Sequence, residues 1–216
     1  MRFTVKRGLI AIIAGLALLV GAMPGTADAA ASGWKIYTYA PSGQTLSSKA
    51  APGSPSAIAQ FDFLPTPDDA LLATNAKSSI LGKTITATFT VDGAGTFIYS
   101  GEGTPDNPCA TPANVRFYFN TANGPFAYTK YWWSNPVAFP LAAPGSGTFS
   151  VTVDPAQWSD WNGQFGTTDV AAFNAAASNP SIIGLSFGGG CFFENGVGVN
   201  PGSATFNLNT FTTTGP

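Results

Sequence analysis

The stretch Ile182–Thr213, IIGLSFGGGCFFENGVGVNPGSATFNLNTFTT, contains the pattern that decides the fold. The apolar residues of its first part alternate with small or polar ones: Ile183, Leu185 and Phe187. The same alternation returns near its end: Ala204, Phe206 and Leu208. A two-residue period is typical of strands with one buried face, and the glycines at 188–190 allow a sharp bend. The stretch therefore predicts two strands joined by an exposed loop, with a bulge where Phe211 falls out of phase.

The same alternation recurs along the rest of the chain. It is clearest at Lys83–Val91, where apolar residues alternate with threonines. Asp92–Gly95 predicts a turn that would form a hairpin with residues 96–100. One helix is predicted at Thr168–Ser178, with Thr168 as its cap. About nine strands with one short helix predict an all-β fold, a two-sheet antiparallel β-sandwich of the jelly-roll type. We expect a single domain over residues 30–216.

Residues 1–29 have the organisation of a secretory signal peptide. Basic residues come first, an apolar run over 9–22 follows, and the small-residue pattern Ala27-Asp28-Ala29 ends the segment. The apolar run is shorter than the roughly 18 residues that span a bilayer. We therefore expect cleavage after Ala29, with Ala31 as the alternative. The resulting prediction is a protein that is secreted, either extracellular or periplasmic, and that is free of the membrane after cleavage.

The charge balance argues against anionic partners. Removing the signal peptide takes away three of nine basic residues and one of eleven acidic residues, which leaves six and ten. Nucleic acids and anionic membranes are bound through clustered basic residues, so neither is expected as a partner. Composition does not predict the oligomeric state.

Histidine is absent from the chain, and this excludes several kinds of active site. Ser-His-Asp and Cys-His nucleophiles, and zinc sites with histidine ligands, all require an imidazole. Cys109 and Cys191 are the only cysteines. In an exported protein such a pair is most simply a disulfide, and two buried free thiols are the alternative.

Three segments in order carry a resemblance to a known fold family: Lys83–Phe89, then Tyr131–Pro136, then Phe149–Val153 followed by Gln157 and Trp158. Together with Ile183–Gly189 ahead of a final strand, they resemble the galactose-binding-like jelly rolls of secreted bacterial proteins. Many carbohydrate-binding modules share this fold. The resemblance covers about residues 33–213 and implies a non-catalytic binding role, although a shared fold does not determine function.

Surface aromatics are the candidate binding residues, because a sugar ring stacks its apolar face on tryptophan or tyrosine. Tyr131 and Trp133 lie on one face of a predicted strand, and Trp161 lies in a polar loop. Arg116 and Asn120 alternate with apolar residues, so we expect them to face outward and line a groove. These five residues form the predicted ligand site. Burial in the core is the alternative for each aromatic ring, and solvated surface for the two polar side chains.

The only two glutamates suggest other functions. Glu102 and Glu194 each lie near a cysteine, so a disulfide would bring their loops together. Paired carboxylates serve as acid and nucleophile in glycoside hydrolases, which makes a hydrolase or lyase one alternative. A structural protein of the cell surface or extracellular matrix is another. No cofactor is expected, but carboxylates also bind structural calcium, with Asp62, Asp106 and Asp154 as candidates.

Overall fold

Strands dominate the computed structural model of the chain, which describes residues 33–39, 45–100, 111–121, 125–190 and 196–215. The strands in these ranges are β1 (Lys35–Tyr39), β2 (Leu46–Ala50), β3 (Ala59–Asp62), β4 (Asp69–Asn75), β5 (Thr84–Tyr99), β6 (Asn114–Asn120), β7 (Tyr131–Pro140), β8 (Gly145–Thr152), β9 (Trp158–Asp160), β10 (Ile182–Gly188) and β11 (Val197–Thr214). Helix α1 spans Val170–Ser178, and two short 3-10 turns span Tyr128–Lys130 and Pro155–Gln157. The predicted signal peptide lies outside the described residues.

Eight of these strands form two four-stranded layers. Layer A has the order β3-β11-β5-β8, and layer B has the order β4-β10-β6-β7. Strands β1 and β2 extend layer B beyond β4, and β9 extends it beyond β7. The two layers meet where Val197 of β11 pairs with Asp69 of β4. Eight antiparallel strands in this order make a jelly roll.

Ring contacts across the molecule show that the layers pack face to face. Phe117 of β6 stacks on Phe149 of β8 with ring centroids 4.3 Å apart. Strands β6 and β8 lie in different layers and are not neighbours in the hydrogen-bonding order. The rings therefore meet across the core, and the predicted two-sheet antiparallel sandwich is confirmed.

The stretch that predicted the fold supplies one strand to each layer. The alternating apolar residues of β10 and β11 face the core and are at most 6% exposed: Ile183, Leu185, Phe187, Ala204, Phe206 and Leu208. The register of β11 against β5 shifts between Leu208 and Thr210, which is the predicted bulge near Phe211. Residues 191–195, between the two strands, lie outside the described ranges.

The predicted hairpin at Asp92–Gly95 is wrong, because β5 continues without a turn from Thr84 to Tyr99. The glycines of this segment allow β5 to lie close to β11. A Cβ atom at Gly93 would overlap the carbonyl oxygen of Ser203, and one at Gly95 would overlap the side chain of Val199. Glycine inside a strand marks such an approach as readily as it marks a turn.

Helix α1 confirms the predicted helix, but it begins two residues later. Its cap is Asp169, whose Oδ1 accepts a hydrogen bond of 3.0 Å from the N–H of Ala172. The helix packs Phe173 edge-on against the ring of Trp132, 5.0 Å away, and so covers one end of the core. No helix in the described part of the chain is long and apolar enough to cross a bilayer.

Candidate functional site

Four aromatic rings at the β9 edge of layer B form an exposed cluster, which we call the aromatic platform: Phe126, Tyr128, Tyr131 and Trp161. Phe126 and Tyr131 stack with their centroids 5.5 Å apart. Trp161 meets both rings edge-on, at 5.7 Å from Phe126 and 5.6 Å from Tyr131. Phe126 is 58% exposed, Tyr128 50% and Trp161 46%. Such an exposed cluster of large rings is unusual on a protein surface and is typical of a binding site.

A tight loop fixes the position of Trp161. The loop begins at Asp160, whose Oδ1 accepts hydrogen bonds from the N–H groups of Asn162 at 2.9 Å and Gln164 at 3.0 Å. Gly163 takes the left-handed conformation, with φ of 75°, that closes such a turn. Asp160 is 4% exposed, so the carboxylate that accepts these hydrogen bonds is itself buried. The indole is therefore presented on a preorganised backbone.

Trp133 lies under the platform. Tyr131 and Trp133 do share the outer face of β7, but Trp133 is only 2% exposed. Its ring contacts Trp161 at 5.7 Å and Tyr118 at 5.1 Å, and its Nε1 donates a hydrogen bond of 3.0 Å to Ser186 Oγ. The structure thus places Trp133 as support for Trp161, whereas the sequence predicted an exposed ring.

Arg116 and Asn120 do face outward from β6, as the alternation predicts, but neither side chain is exposed to solvent. They lie on the outer face of β6 but are 8% and 5% exposed, because the tall rings of Tyr118 and Trp133 stand on the same face. Arg116 donates from Nε to Asn114 Oδ1 and from Nη1 to the carbonyl oxygen of Ser134. Burial lowers the pKa of Arg116 to about 10. Both hydrogen bonds fix the guanidinium within the face of layer B.

Asn120 lies directly beside Tyr131 in the register of β6 and β7. Its Nδ2 donates a hydrogen bond of 2.7 Å to the hydroxyl of Tyr118, and its buried Oδ1 has no hydrogen-bond partner among the residues that the structure describes. Of the five predicted ligand residues, Tyr131, Trp133 and Trp161 thus lie together. Asn120 borders them, and Arg116 lies further along the same face.

Phe126 and Tyr128 were not predicted as site residues. They lie in and just before the 3-10 turn at Tyr128–Lys130, where no strand or helix period marks which side chains are exposed. The sequence carries only a local indication that these two rings are exposed. Aromatic residues follow Gly124-Pro125, a pair typical of surface loops.

Several predicted residues lie outside the described ranges: Glu102, Glu194, Cys109, Cys191 and Asp106. The other two calcium candidates each have a structural partner. Asp62 accepts a hydrogen bond from the hydroxyl of Thr205, and Asp154 caps the 3-10 turn at Pro155–Gln157. In the ranges that the structure describes, no three acidic, histidine or cysteine side chains are grouped to hold a metal ion.

Comparison with known proteins gives one structural match to report. No family model matches the sequence, and no curated protein matches it. Among solved structures, the chain is similar to a xylan-binding module, CBM15, at 16% sequence identity and a TM-score of 0.39. The match covers 82% of this chain and 90% of that one. The jelly-roll assignment rests on the strand pairing described above.

Proposed function

We propose that this protein is a secreted, non-catalytic binding protein for polysaccharide, and that the aromatic platform is its binding surface. The observation that carries the proposal is the exposure of three neighbouring rings, in which Phe126 contacts both Tyr128 and Trp161. Exposing them to water is unfavourable, and a ligand with an apolar face would remove that cost.

Carbohydrate fits this surface because a sugar ring has an apolar face and a polar rim. The apolar face stacks on an indole or phenyl ring, and the hydroxyls on the rim need planar hydrogen-bonding partners. Asn162 and Gln164 are both exposed in the loop of Trp161, and their carboxamides are suitable partners for these hydroxyls. Exposed aromatic rings with carboxamides in the loop of Trp161 support binding.

Replacing Trp161 by alanine is expected to lower the affinity for polysaccharide by at least about tenfold, because the platform loses the indole that contacts both Phe126 and Tyr131. Affinity electrophoresis in gels containing xylan, hydroxyethylcellulose, galactomannan or laminarin measures this loss. Phe126→Ala should weaken binding in the same gel.

Ile58→Ala is the matched control, because Ile58 is a 37% exposed apolar residue just before β3 in layer A. The Ile58→Ala variant should migrate as the wild type does in each polysaccharide gel. Wild-type migration that no polymer retards, or retardation that Trp161→Ala leaves unchanged, would refute the proposal.

We also propose the disulfide between Cys109 and Cys191. The neighbouring described residues support it, since the N–H of Gly190 donates a hydrogen bond of 2.7 Å to the carbonyl oxygen of Thr111. The exported protein, unfolded in guanidinium chloride without a reductant, should therefore resist alkylation by iodoacetamide until it is reduced, as read by intact mass. Labelling of both cysteines in the unfolded, unreduced protein would contradict this prediction, because buried free thiols react once the chain is unfolded.

A further inference from the structure

A groove of about 350 Å³ lies between helix α1 and the 3-10 turn at Tyr128–Lys130. Three alanines of the helix line one side of it: Ala172, Ala175 and Ala176. Polar side chains complete the lining: Thr121, Thr129, Lys130 and Asn179. Methyl groups with hydroxyl, ammonium and carboxamide groups around them suit a ligand that has both apolar carbons and many hydroxyls.

The groove is held in shape by hydrogen bonds to backbone carbonyl oxygens of the 3-10 turn. The N–H of Thr121 donates to the carbonyl oxygen of Lys130 at 3.0 Å, and Trp132 Nε1 donates to the carbonyl oxygen of Thr129 at 2.8 Å. Thr121, Thr129 and Asn179 make no side-chain hydrogen bond within the described part of the chain. Their hydroxyls and carboxamide thus keep their capacity to bond a ligand.

The groove and the aromatic platform share one structural element. Tyr128 belongs to the platform and Thr129 to the groove, and they are consecutive residues of the same 3-10 turn. A linear molecule that stacks on the platform therefore reaches the groove by crossing a single turn. A compact ligand bound on the platform alone would not reach it.

We infer that the groove is a second sugar subsite, which takes up the continuation of a linear polysaccharide chain bound on the platform. The inference rests on the proposed function and adds that the affinity depends on the length of the sugar chain. Hydroxyl groups of the sugar bond Thr121, Thr129 and Asn179, while its carbon face lies against the alanines. A six-unit oligosaccharide, which occupies both subsites, then binds more tightly than a two-unit one, which occupies the platform.

Filling the groove tests this inference. Ala175 is exposed and lies on a helix, so Ala175→Leu adds volume to the groove with a good helix-forming residue. Ala171→Leu is the matched control, because Ala171 is exposed on the same helix and is not part of the groove lining. Titration calorimetry with xylo-, cello- and manno-oligosaccharides of two and six units measures the affinities.

The wild type is expected to bind the six-unit sugar about tenfold more tightly than the two-unit sugar. Ala175→Leu should remove this difference and leave the two-unit affinity unchanged, and Asn179→Ala should reduce the difference. Ala171→Leu should match the wild type. The subsite would be overturned if the wild type had no chain-length preference, or if the preference survived in Ala175→Leu. Either result would leave the proposed function standing, because the platform is tested separately by Trp161→Ala. If no sugar binds the wild type, the proposed function fails as well.

Discussion

Replacement of Phe206 by alanine is expected to lower the free energy of unfolding by about 3–5 kcal/mol, the usual cost of truncating a fully buried phenyl ring. Phe206 is 0% exposed and stacks on Phe89 with centroids 5.0 Å apart. It also contacts three further rings from β10 and from the chain at and after β3: Phe61, Phe63 and Phe187. Because these rings belong to both layers, the cavity would lie where the layers meet.

Denaturation in guanidinium chloride, followed by tryptophan fluorescence, measures the loss. Phe126→Ala is the matched control, since it removes the same atoms from a ring that is 58% exposed, and it should change stability by less than about 0.5 kcal/mol. The two variants thus separate folding from binding, because Phe126→Ala is also expected to weaken polysaccharide binding. A loss below about 1 kcal/mol in Phe206→Ala would show that its ring cluster does not hold the layers together.

The core was predictable because a strand with one buried face has an apolar residue at every second position. In β5 every second residue from Ile85 to Val91 is buried, and the threonines between them are half-buried on the other face. A shift of one residue would reverse the two faces, so this pattern determines which face packs inward. It carries no information on which strands pair, so the sequence predicts a turn at Asp92–Gly95, where β5 in fact continues and pairs with β11.

The platform was only partly predictable, because exposure on the outer face depends on what stands above a residue. Alternation correctly placed Tyr131 and Trp133 on one face, and the polar sequence around Trp161 correctly indicated solvent. Nothing in the sequence shows that the loop of Trp161 folds back over Trp133 and buries it. The sequence likewise does not show that the rings of Tyr118 and Trp133 leave Arg116 and Asn120 buried on a face that the pattern assigns to solvent.

Asp69 gives the protein an unusual dependence of stability on pH. The carboxyl is 1% exposed at the start of β4, beside Val197, where the two layers meet. Burial raises the pKa of Asp69 to about 7, against the opposing effects of the hydrogen bond from the N–H of Leu64 and the charge of Lys49. In the unfolded chain the pKa of an aspartate is about 3.9. Between these two values the folded state binds more protons than the unfolded state.

The free energy of unfolding should therefore fall as the pH rises from about 4 to about 7, and the contribution of Asp69 to this fall is at most about 4 kcal/mol. Asp69→Asn removes the titration and keeps an oxygen that accepts the hydrogen bond from Leu64, which is 2.7 Å long in the wild type. The variant should be more stable than the wild type at pH 8 and should lose this advantage at pH 4. Guanidinium chloride denaturation across this range measures the difference.

Asp154→Asn is the control, because it removes an exposed carboxylate from a cap that asparagine also fills. Its stability should follow the wild-type curve across the same pH range. If Asp69→Asn is no more stable than the wild type at pH 8, the carboxylate is not destabilised by its burial at the junction of the layers.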